Sequence, residues 1–303
     1  MANASRMTTG TSPRLLQYGL DKIIQHFDNQ YIGEVDRVFT KVPTDKGFYE
    51  FVQLAGMGIA GPKGEGDVLT YDSINQDFNP RYTVYSYEKG ARITYEAQKD
   101  NVYEDMMERI GKEIVKAHKY NIDYQAAAIL NNCTSTTWGD GVALLSTAHP
   151  LQAGGTNSNR LSPDLDLSED AVEQAVILVD NFLNPDGMNS MYRTKNLIVP
   201  VALKFTAQRI VKSKYRTATG DNDINVVANN GDVEDVIVWK RLTGNTTWFL
   251  STDAQDGLML AEREGIETWT FNDPFTRDNV VGSATRFRTL VGDHRAIAGT
   301  VGP

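Results

Sequence analysis

The sequence predicts an α+β fold made of one long helix, an extended β-arm and a block of strands towards the chain end. Three observations carry that prediction. A proline-free stretch from residue 97 to 132 holds Val102, Met106, Ile110, Ile114, Ala117, Tyr124 and Ala128 at three- and four-residue steps. Residues 47–96 place Val, Thr and Tyr-rich segments on either side of a glycine-rich run. Beyond residue 260, Ile266–Phe271, Ala284–Val291 and Arg295–Val301 all read as strands. The chain has 303 residues, 41% of them hydrophobic, which is enough to bury a substantial core as one large domain or two smaller ones.

Along the chain, residues 1 to about 13 are rich in Ser, Thr, Ala and Asn and read as a flexible arm ending at Pro13. Leu15, Leu16, Gly19, Leu20, Ile23, Ile24 and Phe27 follow at helical spacing, a helix for the core or for docking on a neighbour. Gly47–Leu54, Val68–Tyr71 and Tyr82–Tyr87 read as strands around a tip running from Gly56 to Gly66. Such an arm buries little of itself, and its edges require a partner surface.

The tip carries the letters of a dinucleotide fingerprint, Gly56-Met57-Gly58-Ile59-Ala60-Gly61. That fingerprint works only where a helix N-terminus meets the pyrophosphate. Pro62, Gly64 and Gly66 follow at once and stop any helix, and Lys63 precedes Gly64 where a phosphate loop needs Ser or Thr. The segment reads instead as an adaptable loop against a neighbouring subunit, with backbone freedom supplied by its glycines.

The long helix over 97–132 spans about 34 residues, or ~50 Å at a rise of ~1.5 Å per residue. Gly111, His118 and Asn121 interrupt a coiled-coil seam, which leaves a spine across a flat domain. Residues 133–166 are loop-rich. Ser168 is placed to cap a helix that carries Glu169 and Asp170 in its first turn and turns Val172, Ala175, Val176 and Val179 inward. Leu197–Val201 reads as a buried strand and Leu203–Ser213 as a helix. Asp235–Leu242 and Thr246–Ser251 read as a hairpin around Thr243-Gly244-Asn245.

Charge is polarised in this half. Lys204, Arg209, Lys212, Lys214 and Arg216 form a basic stretch, and Asp221, Asp223, Asp232, Glu234 and Asp235 an acidic one. These are two solvated faces or, in a ring of identical subunits, the two sides of a head-to-tail interface.

Composition excludes several functional classes. The net charge is −9, so no basic nucleic-acid footprint exists at whole-chain level. No apolar run approaches the ~20 residues of a membrane helix, which predicts a soluble protein. Met1–Gly10 lacks the pattern of a signal peptide. Cys133 is the only cysteine, so neither an internal disulfide nor a thiolate metal cluster can form within one chain.

The catalytic inventory is thin. His26, His118, His149 and His294 lie far apart, without metal-ligand spacing. Ser146 lies three residues before His149 with Asp140 upstream, but no nucleophile-elbow glycine frame surrounds it, and His149 reads as a turn residue satisfying local backbone groups. Asp164 and Asp166 lack a calcium-loop frame. No catalytic residue, cofactor or metal site is therefore assigned; an enzyme built on the glycine run or on Ser146 and His149 is kept as a rival reading.

The segment Asp140-Gly141-Val142-Ala143-Leu144-Leu145-Ser146-Thr147-Ala148-His149-Pro150 resembles the signature of Mu-like phage major head subunits, in which a Gly-x-x-Leu-x-Ser-x-x-His-Pro pattern follows the long helix. The order of elements from about Leu15 onward is similar too, including the strand that ends at Val199-Pro200.

The resemblance implies the tailed-phage major capsid fold. Its parts would be an N-terminal arm over 1–45 and an extended β-loop with peripheral-domain strands over 46–96. A peripheral domain with the spine helix would cover 97–195, an axial domain 196–260, and C-terminal strands returning to the peripheral domain 261–303. It implies pentamers and hexamers closing an icosahedral shell around double-stranded DNA held without sequence-specific contacts. It also implies a separate scaffolding protein, a portal and a decoration protein as partners, no membrane, and assembly in the host bacterial cytoplasm into a virion capsid. Candidate inter-subunit contacts are Gly58, Gly61, Lys63, Gly64, Lys212, Lys214, Arg216, Asp232, Glu234 and Asp235. The alternative is an encapsulin-like cellular nanocompartment shell protein, which shares the fold and encloses enzymes.

Overall fold

The computed structural model describes residues 22, 26, 33–54, 56, 59–66, 68–69, 71, 76, 78–96, 103–215, 224–254 and 256–302, with residues 103–108 described by backbone alone. The helix expected over Leu15–Phe27 lies outside them apart from Lys22 and His26, as do Gly58, Arg216, Asp221 and Asp223.

Two four-stranded sheets share one long helix. The first sheet, entered through the short helix α1 (Val35–Val38), has the order β1 (Thr40–Pro43), β10 (Leu258–Asn272), β11 (Asn279–Val291), β4 (Tyr85–Ile93). Its centre is the antiparallel β10–β11 hairpin, bulged between Glu262 and Glu264 and again between Glu264 and Glu267. The strand alternation places Leu258, Leu260, Phe287 and Val291 in the main core, while Met259, Ala261 and Leu290 face Tyr49 and Tyr82 on the other side. Tyr49 and Tyr82 belong to a two-stranded ribbon of β2 (Phe48–Glu50) and β3 (Arg81–Thr83), and the Tyr82 hydroxyl donates to the Val291 carbonyl at 2.7 Å.

The second sheet has the order β12 (Ile297–Thr300), β9 (Trp248–Thr252), β7 (Thr194–Val199), β8 (Asp235–Val238). Alternation here feeds two cores. Leu197, Val199, Val236, Trp248 and Leu250 pack beneath three helices, α3 (Glu169–Asp180), α4 (Lys204–Lys212) and α5 (Val226–Asn230). Ile198, Ile237 and Phe249 face the opposite way, into the main core with Ala126, Ala127 and Leu130 of α2 (Tyr103–Asn131). Ser168 caps α3 as the sequence predicts, its hydroxyl accepting from the Ala171 amide at 3.2 Å.

The structure corrects four readings. Asp235–Val238 and Trp248–Thr252 do not form a hairpin: β8 pairs parallel with β7, and β9 pairs antiparallel with the other edge of β7. Strand β7 is buried through its apolar half and has two edges to satisfy, so the two flanking strands each take one. Between them the chain drops Trp239 into the core, edge-on to Phe39 at 6.2 Å.

The β-arm pairs less than its composition suggests. Beyond β2 the described residues pair through the Phe51 amide to the Pro80 carbonyl at 3.2 Å, the Gln53 amide to the Phe78 carbonyl at 3.1 Å and a bridge between Leu54 and Gln76, while Val68, Leu69 and Tyr71 are exposed and outside any strand. The segment Arg295–Val301 begins as a 3-10 turn, His294–Ala296, and becomes strand only at Ile297.

Of the apolar positions expected along the long helix, Ile114 is buried and Ile110, Ala117 and Ala128 are half-buried, Val102 and the Met106 side chain lie outside the described residues, and Tyr124 departs from the stripe. Tyr124 is 58% exposed, while Gly111, Val115, His118, Ala126, Leu130 and Asp123 are buried. Polar side chains occupy this inner stripe because each finds a partner. His118 Nε2 lies 2.9 Å from Ser283 Oγ of β11, and Asp123 accepts from Trp239 Nε1 at 2.7 Å and Arg241 Nε at 3.1 Å.

Candidate functional site

The loop after α2 holds a buried polar cluster. Strand β5 (His149–Pro150) pairs with β6 (Thr156–Asn157), which turns the His149 ring inward, fully buried. Its Nδ1 lies 2.6 Å from Asp140 Oδ2 and its Nε2 3.2 Å from Asn159 Oδ1. The His294 ring stacks on it at 4.0 Å, and Trp138 lies 5.3 Å from His294. Asp293 and Arg295, both buried, pair beside this stack, and Arg295 reaches Asn184 Oδ1 at 2.7 Å.

Burial pushes His294 down to about 3. Burial also works against the Asp293 carboxylate, but Arg295 beside it holds the group below the ordinary carboxylate range.

Hydrolytic chemistry is not arranged here. The Ser146 hydroxyl accepts from the Ala148 amide, and the Ser146 amide donates to Asn159; neither ring nitrogen of His149 has the serine as a partner. Ser146 and His149 share a loop without forming a nucleophile–base pair. His149 satisfies side chains rather than the local backbone groups its position before Pro150 suggests. Asn159 is the partner sequence reasoning missed. It sits between the His-Pro loop and the 294–299 segment, bonding Leu144, Ser146 and His294 from one buried amide. The cluster ties the 138–160 loop to the end of the chain. Among the described residues no group of three or more His, Cys, Asp or Glu side chains is arranged to hold a metal ion, and no helix is long and apolar enough to cross a membrane.

The predicted contact residues fall on two surfaces. Gly61, Lys63 and Gly64 lie on the exposed tip of the arm, where an added Cβ at Gly61 would meet nothing within 4 Å. Exposed apolar side chains flank them, with Ile59 87%, Val68 85% and Tyr71 84% accessible. Large apolar groups presented this way are a signature of a binding surface.

Lys212 and Lys214 are exposed at the end of α4, and Asp232, Glu234 and Asp235 lead into β8. The structure brings the two charge blocks together inside one subunit. Asp235 takes Arg37 at 2.6 Å and Lys212 at 3.8 Å. Its carboxyl is lowered first by the Val236 amide and then by Arg37.

Against known proteins, the model of the family described as phage capsid protein matches residues 79–299. Solved structures share the fold at low identity. The virus-like particle from Pyrococcus furiosus is 11% identical, with 93% of this chain and 98% of that chain covered at a TM-score of 0.54. The capsid of an empty GTA particle is 12% identical, with 88% of each chain covered at a TM-score of 0.55. Microbacterium phage Oxtober96 is 12% identical, with 89% of this chain and 91% of that chain covered at a TM-score of 0.53. No curated protein matches the sequence.

Proposed function

Since this chain belongs to the phage capsid protein family, we propose that it is the major head subunit whose pentamers and hexamers close an icosahedral shell around packaged double-stranded DNA. Its role is structural, and its partner is first of all itself. The observation that carries this reading is the family match over 79–299, which takes in the long helix, both four-stranded sheets except β1, and the His-Pro loop. The finer likeness to Mu-like head subunits rests on Asp140–Pro150, with weaker support from the order of elements from about Leu15 onward. The encapsulin-like alternative shares the fold, and the family match favours the phage shell.

In this reading residues 46–96 supply the extended loop that overlaps a neighbour through Gly61, Lys63, Gly64 and the apolar groups beside them. Residues 97–195 with 261–303 form the peripheral domain, 196–260 form the axial domain and 1–45 the arm. Scaffolding, portal and decoration proteins complete the particle, which assembles in the host cytoplasm. A net charge of −9 suits a wall that encloses DNA without gripping it.

The test is particle formation, read by light scattering and negative-stain microscopy of purified protein across salt and crowding conditions. Rings of five and six or closed particles are expected, and the contents of particles made in cells separate a DNA shell from an enzyme compartment. Deleting Gly56–Gly66 should leave the subunit folded and stop particle formation. A monomer under every condition, unaltered by that deletion, would overturn the reading.

A further inference from the structure

Helices α3 and α4 cover the same face of the second sheet but different halves of it. Helix α3 packs over β12 and β9, and α4 over β7 and β8. They are charged with opposite sign. Helix α3 carries Glu169, Asp170, Glu173 and Asp180 and no basic residue, whereas α4 carries Lys204, Arg209 and Lys212 and no acidic one.

The outward stripes are built alike. On α3 the stripe Glu173, Ile177, Asp180 runs at helical spacing, with Ile177 59% exposed between the two acids. On α4 the stripe Phe205, Arg209, Lys212 runs at the same spacing, with Phe205 72% exposed. Each is an apolar contact set among charges of one sign. Neither stripe complements itself, because like charges would meet, and each complements the other stripe of an identical molecule. In the rings that the capsid reading supplies, such a pairing repeats head to tail at every junction and closes on itself.

We propose that the acidic α3 face of one subunit docks on the basic α4 face of the next copy of this chain within a capsomer ring. The proposal rests on the capsid reading above and sharpens it. The acidic partner of the basic helix is α3 rather than the Asp232–Asp235 block, since Asp235 is held by Arg37 of its own subunit at 2.6 Å, whereas Lys212 stands at 3.8 Å from that carboxylate with its side chain 64% exposed and within reach of a second acid. Electrostatic complementarity then sets register and partner choice, while Phe205 and Ile177 supply the apolar contact. A contact of this type weakens with salt, because exposed ion pairs are screened.

The test uses the full chain in two charge-reversed variants, Glu173→Lys with Asp180→Lys and Arg209→Glu with Lys212→Glu, beside wild type. Ring and particle formation is followed by light scattering and microscopy. Each variant alone presents one sign on both faces and should need at least about tenfold more protein to assemble. Mixed one to one, they should assemble again, because every junction of an alternating ring is then complementary. An alternating ring closes with six members but not with five, so the mixture should restore six-membered rings and leave five-membered ones missing. One chain carrying all four substitutions should restore both. Rescue on mixing also excludes misfolding of either variant. If both variants assemble like wild type, or if mixing restores nothing, the α3–α4 contact is refuted while the capsid reading stands. A wild type that never assembles takes both down together.

Discussion

Replacing Asn159 by Ala tests the account of how the His-Pro loop is held. The side chain is fully buried, and its Nδ2 donates to the Leu144 carbonyl at 2.7 Å and the His294 carbonyl at 3.0 Å. Its Oδ1 accepts from the Ser146 amide at 2.9 Å and faces His149 Nε2 at 3.2 Å. Alanine leaves three backbone groups without those partners in a region packed by Trp138, Leu144 and Leu145. A buried group left unpaired costs ~1–3 kcal/mol. Carbonyls with a second lone pair satisfied elsewhere, and any water the small void admits, reduce the sum. A loss of about 3–4 kcal/mol is expected. Urea unfolding of the unassembled subunit, followed by tryptophan fluorescence, measures it. Asn159→Asp should fail comparably, because a carboxylate would then face two carbonyl oxygens. A loss under about 1 kcal/mol for the alanine variant would show that the loop is held by apolar packing and that the amide network is incidental.

Further outcomes follow from burial. His294 is held at about 3 in the fold and takes up a proton near its ordinary 6.5 in the unfolded chain. The unfolded state therefore binds the extra proton between those values, and stability falls as pH drops from 6.5 towards 3. The loss should reach about 2 kcal/mol at pH 5, with His118, also lowered by burial, acting in the same direction. Unfolding curves at pH 7 and pH 5 check this, and a pH-independent midpoint would contradict it. Gly299→Ala places a Cβ 2.4 Å from the Trp248 carbonyl of the paired strand, so β12 must shift; a loss of about 2–3 kcal/mol in thermal unfolding is expected. Cys133 is buried with its thiol pushed up to about 11, so a thiol reagent at neutral pH should label it only as fast as the protein opens.

Elements with local causes were legible in the sequence. Ser168 with Glu169 and Asp170 announces α3, and the run Leu197-Ile198-Val199 announces a strand buried on both faces. The long helix was legible as a helix, with Ile114 on its buried face, but the polar members of that face were not. A periodic pattern rewards apolar side chains, whereas His118 and Asp123 lie inside because Ser283, Trp239 and Arg241 come from distant segments to meet them. The β8–β9 pairing failed for a related reason. Two neighbouring strand-like runs with a Gly-Asn turn look like a hairpin until a third, more apolar strand claims an edge of each. The His-Pro motif lies in the loop that holds the buried polar cluster. Its partners His294 and Asn159 carry no local signal, since only the folded chain brings them within reach.

The two sheets differ in how much of the chain each must wait for. The second sheet, apart from β12, and its three helices lie within residues 169–252. The first joins residues 40–93 to residues 258–291, and the Tyr82–Val291 bond alone spans 209 positions. Closing loops of that length is slow compared with forming local structure. Folding should therefore form the charged helical layer and the local β10–β11 hairpin first, so that α3 and α4 are in place while β1 and β4 have still to join that hairpin. Pulse-labelled hydrogen exchange should show amides of 194–199 and 248–252 protected before those of 85–93, and the reverse order would refute it. On the proposed α3–α4 docking, chains caught between those two stages recognise one another without yet having the rigidity to build a regular wall, which makes the rate at which β1 and β4 close onto the β10–β11 hairpin the step that decides between ordered growth and precipitation.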